Sequence, residues 1–435
     1  MSAPLDFEEA LQRLLQHAAP LNAVETVSLW DADGRVLAEP LVSAMDVPGW
    51  DNSQMDGYAV RAAELAAGGS FAVSQRIPAG HPGQPLQPGT VARIFTGAAM
   101  PAGADAVVMQ EDAQTDDEGR VRFGVQPQPG AWVRRQGEDI ARGSVALAAG
   151  TRLTPAALGL AASIGVDSLP VHRRPRVAVF FTGDELVMPG QPLPPGAIYN
   201  SNRFVLRALL QRLGCEVQDL GIVPDNLEAT RAALRRAVAS ADLVITAGGI
   251  SVGEEDHVRP AVQAEGELDL WRIAIKPGKP LAYGRIHRSP SCESVSDCVP
   301  ASGMPQQHGV AGNNGLPTDA FAHFIGLPGN PVSSFVTFLM LVRPFLLRLQ
   351  GAVGHLPRAV SMIADFDWPR PDTKRREFLR AVQLPDGRHL DLFRNQGSGV
   401  LTSAAVGDGL IDNPPGNVIR RGDVVRFIPF SELLN

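Results

Sequence analysis

The sequence predicts a multidomain chain of α/β plus β class. It has an α/β parallel-sheet domain, a small β domain inserted into a partly helical N-terminal domain, and a C-terminal β-barrel or sandwich. Three observations predict this. From Arg176 onward, β-branched runs alternate with stretches of helical period, the pattern of a parallel sheet covered by helices. Between residues 43 and 142 the chain offers short strand-like runs divided by Gly and Pro, and after Gly351 it does so again. At 435 residues and 44% hydrophobic, it is long enough for several buried cores.

Taken in order, Asp6 can cap a helix in which Phe7, Ala10, Leu11, Leu14 and Leu15 recur at i, i+3, i+4, i+7 and i+8, and Pro20 ends it. Such a seam is normally buried against a neighbour; a self-association face is the sharper alternative. Residues 46–61, DVPGWDNSQMDGYAVR, are rich in turn formers yet carry Trp50, Met55 and Tyr58, which a plain surface loop seldom exposes together. Asp51, Asn52, Ser53 and Asp56 add groups able to hold a metal or a phosphate-bearing ligand, so the stretch reads as an ordered site wall. Around it, 71–73, 90–96 and 106–110 are strand-like. FTGAAMPAG (95–103) sets the Thr96 hydroxyl before a glycine, where it bonds either a ligand or the local backbone. GEDI (137–140), taken alone, is a charged hairpin tip. Thr154 and Pro155 open a short helix that Gly165 closes, a return to the first domain. The expected domains are therefore 1–42 with 143–174, 43–142, 175–350 and 351–435.

The α/β domain begins with the strand RVAVFFT (176–182), which ends in GDEL. An amphipathic helix (202–213) stopped by Gly214, a strand (215–220), the turn GIVPDN and a helix from 227 to about 240 lead into DLVIT (242–246). There the chain turns through Gly248 and Gly249 and reaches three consecutive acids, Glu254, Glu255 and Asp256. Glycine after a strand lets backbone N–H groups approach a ligand closely, and ligands of open parallel sheets bind beyond the carboxyl ends of strands. The acids suit a hard cation such as Mg²⁺; read alone, the stretch is equally a tight turn before a solvated helix. LDLWRIAI (268–275), the loop KPGKP (276–280), the strand LAYGRI and AHFIGL (322–327) follow. Asn330 then caps, and Pro331 opens, a long apolar helix through Leu349. Residues 287–321, rich in Ser, Pro, Gly, Gln and Asn, lack apolar periodicity and read as a disordered surface insertion. His287, Cys292, Cys298, His308 and His323 lack the tight spacing of a zinc site. Short strands at 360–364, 377–384, 389–393 and 424–430 form the last β module.

Thirty-nine basic against 46 acidic residues, net −7, argue against non-specific nucleic-acid binding and an anionic membrane surface. Three cysteines without metal spacing point to a reducing compartment. Neither a signal peptide nor an apolar run of roughly 20 residues is visible, so a cytoplasmic location is expected.

The chemistry-bearing residues of the α/β region fall at strand ends: Thr182-Gly183-Asp184-Glu185, Asp225, Gly248-Gly249 with Ser251 and Asp256, Lys276 with Lys279, and Pro328-Gly329-Asn330-Pro331. Structural turns need Gly and Pro, but no carboxylate or lysine at each crossing. The pattern describes a polyanion site in which acids hold Mg²⁺ and lysines meet oxyanions. Lys279 precedes Pro280, so there is no Walker A loop, and no G-x-G-x-x-G follows the first strand.

Seven motifs in order, DVPGWDNSQMDGYAVR, FTGAAMP, GEDI, FTGDEL, TAGGISVGEEDH, IKPGKP and GLPGNP, resemble the molybdopterin molybdenumtransferase family, bacterial MoeA, to which the gephyrin E domain is similar. The resemblance implies a MogA-like α/β domain and insertion of molybdenum from molybdate into adenylylated molybdopterin, Mg²⁺-dependent and with release of AMP. By motif it implies functional roles for Asp56, Thr96, Asp139, Glu185, Asp225 and Asp256, with Glu185, Asp225 and Asp256 on the metal. It implies ligand binding by Gly248, Gly249, Ser251, Lys276, Lys279, Pro328 and Pro331, with Arg380 and Ser398 reaching the same cleft from the C-terminal module. Arg272 stands where the family often carries lysine, a departure that keeps the charge but changes its geometry. A homodimer with sites shared between subunits is also implied, with contacts to molybdopterin adenylyltransferase and molybdoenzyme chaperones. Two competing readings are a scaffold that keeps the pocket without turnover and a CinA-like hydrolase of a nucleotide-linked compound. The intact acids disfavour the first, and the MDGY-bearing inserted domain and the C-terminal β module disfavour the second.

Overall fold

Asp6 caps helix Phe7–Gln16 by accepting from the Glu8 N–H at 2.9 Å. The helix's apolar seam joins the largest core of its unit, among Phe181, Ile245 and Phe338. Full burial of one such residue, Leu14, stabilises by about 2 kcal/mol. The computed structural model describes residues 4–65, 69–250, 257–278, 280–288 and 320–434. Nearly all of the expected 287–321 insertion, together with Ser251, Asp256 and Lys279, lies outside the described residues. The chain forms two units, one of Met1–Glu25, Gly34–Ala38 and Val171–Asn435, the other of Thr26–Asp33 and Glu39–Pro170.

In the first unit a six-stranded sheet runs in the order Glu216–Val223, Arg176–Thr182, Leu243–Ala247, Phe321–Leu327, Pro280–His287, Gly266–Arg272. The first four strands are parallel, and their carboxyl ends align, Thr182 beside Val223 and Ala247 beside Leu327. Strand Pro280–His287 runs antiparallel to both its neighbours, so the sheet is mixed where alternation alone predicts a parallel one. The reason is chain length. Arg272 pairs with Pro280 across a connection too short for a crossover helix.

Helix Pro331–Thr337 continues through a π turn, Phe338–Val342, into Arg343–Leu349. Pro344 has no N–H for the carbonyl four residues earlier, and the irregular turn lies just before it. Contrary to the sequence expectation, these 19 residues are long and apolar enough to cross a bilayer, but nearly all of the stretch is buried inside the protein. It is a core helix.

The C-terminal region is a closed barrel of five strands. Arg376–Gln383 pairs with His389–Leu392, which pairs with Val360–Ala364, then Val424–Pro429, then Gly409–Asn413, and the last returns to Arg376–Gln383. The short strand Ile275–Lys276 adds to this barrel in parallel, setting Lys276 beside Glu377. The second unit carries a six-stranded sheet, ordered Ala106–Met109, Gly57–Val60, Thr90–Ile94, Phe71–Ile77, Arg120–Phe123, Ala113–Thr115. Alternation buries Ala59, Ile94 and Val107 in one cluster and Val60, Val91 and Val108 in another. Thr154 caps helix Pro155–Ser163 through the Ala157 N–H, as its sequence predicts.

Candidate functional site

The carboxyl ends of the parallel strands open onto a cleft of about 780 Å³ in the first unit. Strand Arg176–Thr182 delivers Thr182, Gly183 and Glu185, and the turn after Glu216–Val223 delivers Asp225. Strand Leu243–Ala247 runs into Gly248, Gly249 and Ile250. The PGNP turn supplies Pro328 to Pro331 at the start of the core helix, and Lys276-Pro277-Gly278 forms another stretch of wall. Arg375, Gln396, Gly397 and Ser398 come from the barrel.

The glycine pair is required by geometry. Gly248 and Gly249 adopt φ of +103° and +64°, and a Cβ on Gly249 would meet Val258 at 2.6 Å and the Thr182 hydroxyl at 2.7 Å. Helix Ser201–Arg212 also begins at this wall. Its cap, Asn200, accepts from the Arg203 N–H at 3.1 Å, and Asn202 donates to the Gly329 carbonyl at 2.7 Å. Those bonds fix both amides, and the Asn200 amide nitrogen, the Asn202 amide oxygen and the Thr182 hydroxyl are buried without a partner among the described residues. Buried polar atoms of this kind ordinarily find partners, so this wall is poised for a polar ligand.

Among the described residues, two cations line the cleft. Lys276 pairs with Glu377 at 3.0 Å, and Arg375 pairs with Asp372 at 2.6 Å. Arg375, Asn200, Asn202 and Ser333, all in the lining, carry no sequence signal that separates them from structural positions. Arg375 stands in the run TKRR, where only the fold distinguishes one arginine from the next.

Of the residues picked from sequence, Glu185, Asp225, Gly248, Gly249, Lys276, Pro328, Pro331 and Ser398 meet in this cleft. Arg380 does not reach it. Its side chain is 1% exposed and donates to the Ser403 hydroxyl at 3.1 Å and to the Phe378 and Gly397 carbonyls at 3.1 and 3.3 Å. Burial pushes its pKa down to about 10. Because Gln396 exchanges two hydrogen bonds with the Arg380 backbone at 2.9 and 2.8 Å, Arg380 braces the cleft wall from behind. Arg272 is also absent from the lining; it ends its strand, where its carbonyl accepts from the Leu5 N–H at 2.7 Å.

Asp56, Thr96 and Asp139 belong to the second unit. Asp56 Oδ1 accepts from the Thr96 N–H at 2.8 Å and from its hydroxyl at 2.7 Å. These bonds, the backbone one foremost, hold the Asp56 carboxyl below its ordinary range, and Arg93 adds to the effect. Neighbouring acids of the same motif are structural: Asp46 accepts from the Arg142 N–H and the Gln136 amide, and Asp51 pairs with Arg135 at 2.6 Å. Asp139 donates its N–H to the Val47 carbonyl at 3.0 Å, which ties the GEDI turn to the same motif.

Glu185 and Asp225 offer oxygen donors to one cleft, and Mg²⁺ is commonly held by one or two carboxylates plus substrate phosphates. The donor set therefore fits that ion. Among the described residues no cluster of three or more acidic, histidine or cysteine ligands occurs; Asp256 lies outside them.

Fold and site together define an α/β protein with acids and cations gathered at one sheet edge, backed by a barrel. Comparison with known proteins narrows this class. Residues 5–165 match the MoeA N-terminal region (domain I and II), 178–348 the "Probable molybdopterin binding domain" family, and 363–430 the MoeA C-terminal region (domain IV). The chain is 40% identical to a molybdopterin molybdenumtransferase of Haemophilus influenzae over 80% of its own length and 78% of that protein. It is 38% identical to one of Nostoc over 83% and 78%. Among solved structures, a molybdopterin biosynthesis MoeA protein from Pyrococcus horikoshii is similar at TM-score 0.72 and 30% identity, covering 98% of this chain and 99% of that one. The chain belongs to the molybdopterin molybdenumtransferase family of enzymes. This membership supports a role in molybdenum cofactor biosynthesis.

Proposed function

We propose that this enzyme inserts molybdenum from molybdate into adenylylated molybdopterin, with release of AMP. The observation that carries the reading is the convergence of Glu185, Asp225, Lys276 and Arg375 on one cleft at the carboxyl edge of the sheet. The substrates are a phosphate-linked nucleotide conjugate and an oxyanion. Both require cationic side chains and backbone donors, and the conjugate's phosphoanhydride requires charge neutralisation for cleavage. Lys276 and Arg375 meet the oxyanion, joined by the Ser398 hydroxyl, while the Gly248-Gly249 turn admits the phosphates close to the backbone. Glu185 and Asp225, with Asp256, would hold Mg²⁺, which when bound neutralises phosphate charge.

The second unit carries its own polar pair, Asp56 with Thr96, as well as Asp139. In this reading they complete the site of the partner copy in a homodimer. The enzyme works in the cytoplasm and exchanges substrate and product with molybdopterin adenylyltransferase and molybdoenzyme chaperones. The test is reconstitution with adenylylated molybdopterin, Mg²⁺ and molybdate. Molybdate-dependent AMP release with formation of finished cofactor supports the proposal, and AMP release indifferent to molybdate points instead to a hydrolase.

A further inference from the structure

Glu377 is a fully buried carboxylate in the barrel, and every polar contact it makes is directed. One oxygen faces the Lys276 ammonium at 3.0 Å; the other accepts from the Trp368 indole N–H at 2.7 Å and the Asn413 amide at 3.3 Å. Asn413 is itself fixed, because it exchanges hydrogen bonds with Asn417 at 3.0 and 2.8 Å. The indole ring also lies beneath the ammonium, 5.9 Å from nitrogen to ring centroid. The partners are unequal in exposure. The Glu377 side chain is 0% exposed and that of Lys276 38%, so one end of the pair is sealed in the barrel while the other looks into the cleft.

A buried ion pair is weak evidence for stability, since desolvation offsets the attraction. What this pair does is hold a flexible side chain. A free lysine loses rotamer entropy when a ligand immobilises it. Here that ordering is completed before any ligand arrives. An ammonium has three donors, and Glu377 occupies one, leaving the others for the cleft.

We propose that Glu377 is a positioning residue that fixes the Lys276 ammonium for the oxyanion substrate, a role that rests on the cleft's assignment to molybdate. Glu377→Asp separates position from charge, because it keeps the carboxylate but withdraws it by one methylene. In the whole enzyme this variant is expected to raise the KM for molybdate about tenfold while leaving the KM for adenylylated molybdopterin within about twofold. The increase is expected to vanish in a Lys276→Met background, since the carboxylate then has nothing to place. Trp368→Phe removes one support of Glu377 and is expected to give a smaller rise, about threefold, which keeps the test available if Glu377→Asp does not fold. An unchanged molybdate KM in folded Glu377→Asp, or an equal loss with and without Lys276, overturns the proposal. If Lys276→Met alone leaves the molybdate KM unchanged, the assignment of the cleft fails instead, and the proposal with it.

Discussion

A single carboxylate oxygen, Asp56 Oδ1, takes both the backbone N–H and the hydroxyl of Thr96, at 2.8 and 2.7 Å. The two residues lie 40 positions apart, on the MDGY and FTG motifs. Both bonds favour the ionised carboxylate, so Asp56 titrates below its ordinary value. Thr96→Val removes the hydroxyl and keeps the N–H. The Asp56 carboxyl, followed by NMR titration, is expected to rise toward 3.8 without reaching it. Thr96→Ser is expected to preserve the native titration, and turnover is expected to follow the same order.

Gly57 of the MDGY motif has a different task. It lies between strands Thr90–Ile94 and Ala106–Met109, and a Cβ there would stand 2.0 Å from the Val108 carbonyl oxygen. The obstacle is backbone, which cannot rotate away. Gly57→Ala is expected to destabilise by at least about 2 kcal/mol, read as a lower denaturation midpoint in urea.

His323 gives the fold a pH dependence. Burial, with help from Arg285, pushes its pKa down from 6.5 to about 4, and its ring bonds the Tyr283 hydroxyl at 3.0 Å. The native state thus favours the neutral ring. The stability it contributes is complete above the unfolded value of 6.5 and is lost as pH falls through 4. The loss over that window is on the order of 3 kcal/mol. His323→Gln is expected to flatten the stability profile between those two pH values, measured by urea unfolding at each pH.

How much of this could be read from the residues alone depends on whether the signal is local. The Asp6 and Thr154 caps, the strand Arg176–Thr182 and the glycine turn at Gly248-Gly249 are fixed by neighbours in sequence, and each appears where its residues place it. The strand Gly409–Asn413 carries only two apolar residues, Leu410 and Ile411, and no period, so only barrel closure reveals it. The antiparallel arm of the sheet follows from the length of one connection rather than from any motif. Arg380 and Arg375 carry the same charge five positions apart. They lie on and beside one strand, yet one is sealed behind the cleft wall and the other stands in it, a difference set by strand register. Charge type is written in the sequence, whereas the direction in which a side chain points is written in the fold.

The acids at the sheet edge bear most of the proposed chemistry, and Glu185 and Asp225 can be removed one at a time. The decisive measurement is molybdate-dependent AMP release from adenylylated molybdopterin by Glu185→Ala and Asp225→Ala, with circular dichroism confirming that each variant is folded. Turnover reduced at least about a hundredfold in both is the predicted result. Native rates in both folded variants would contradict it.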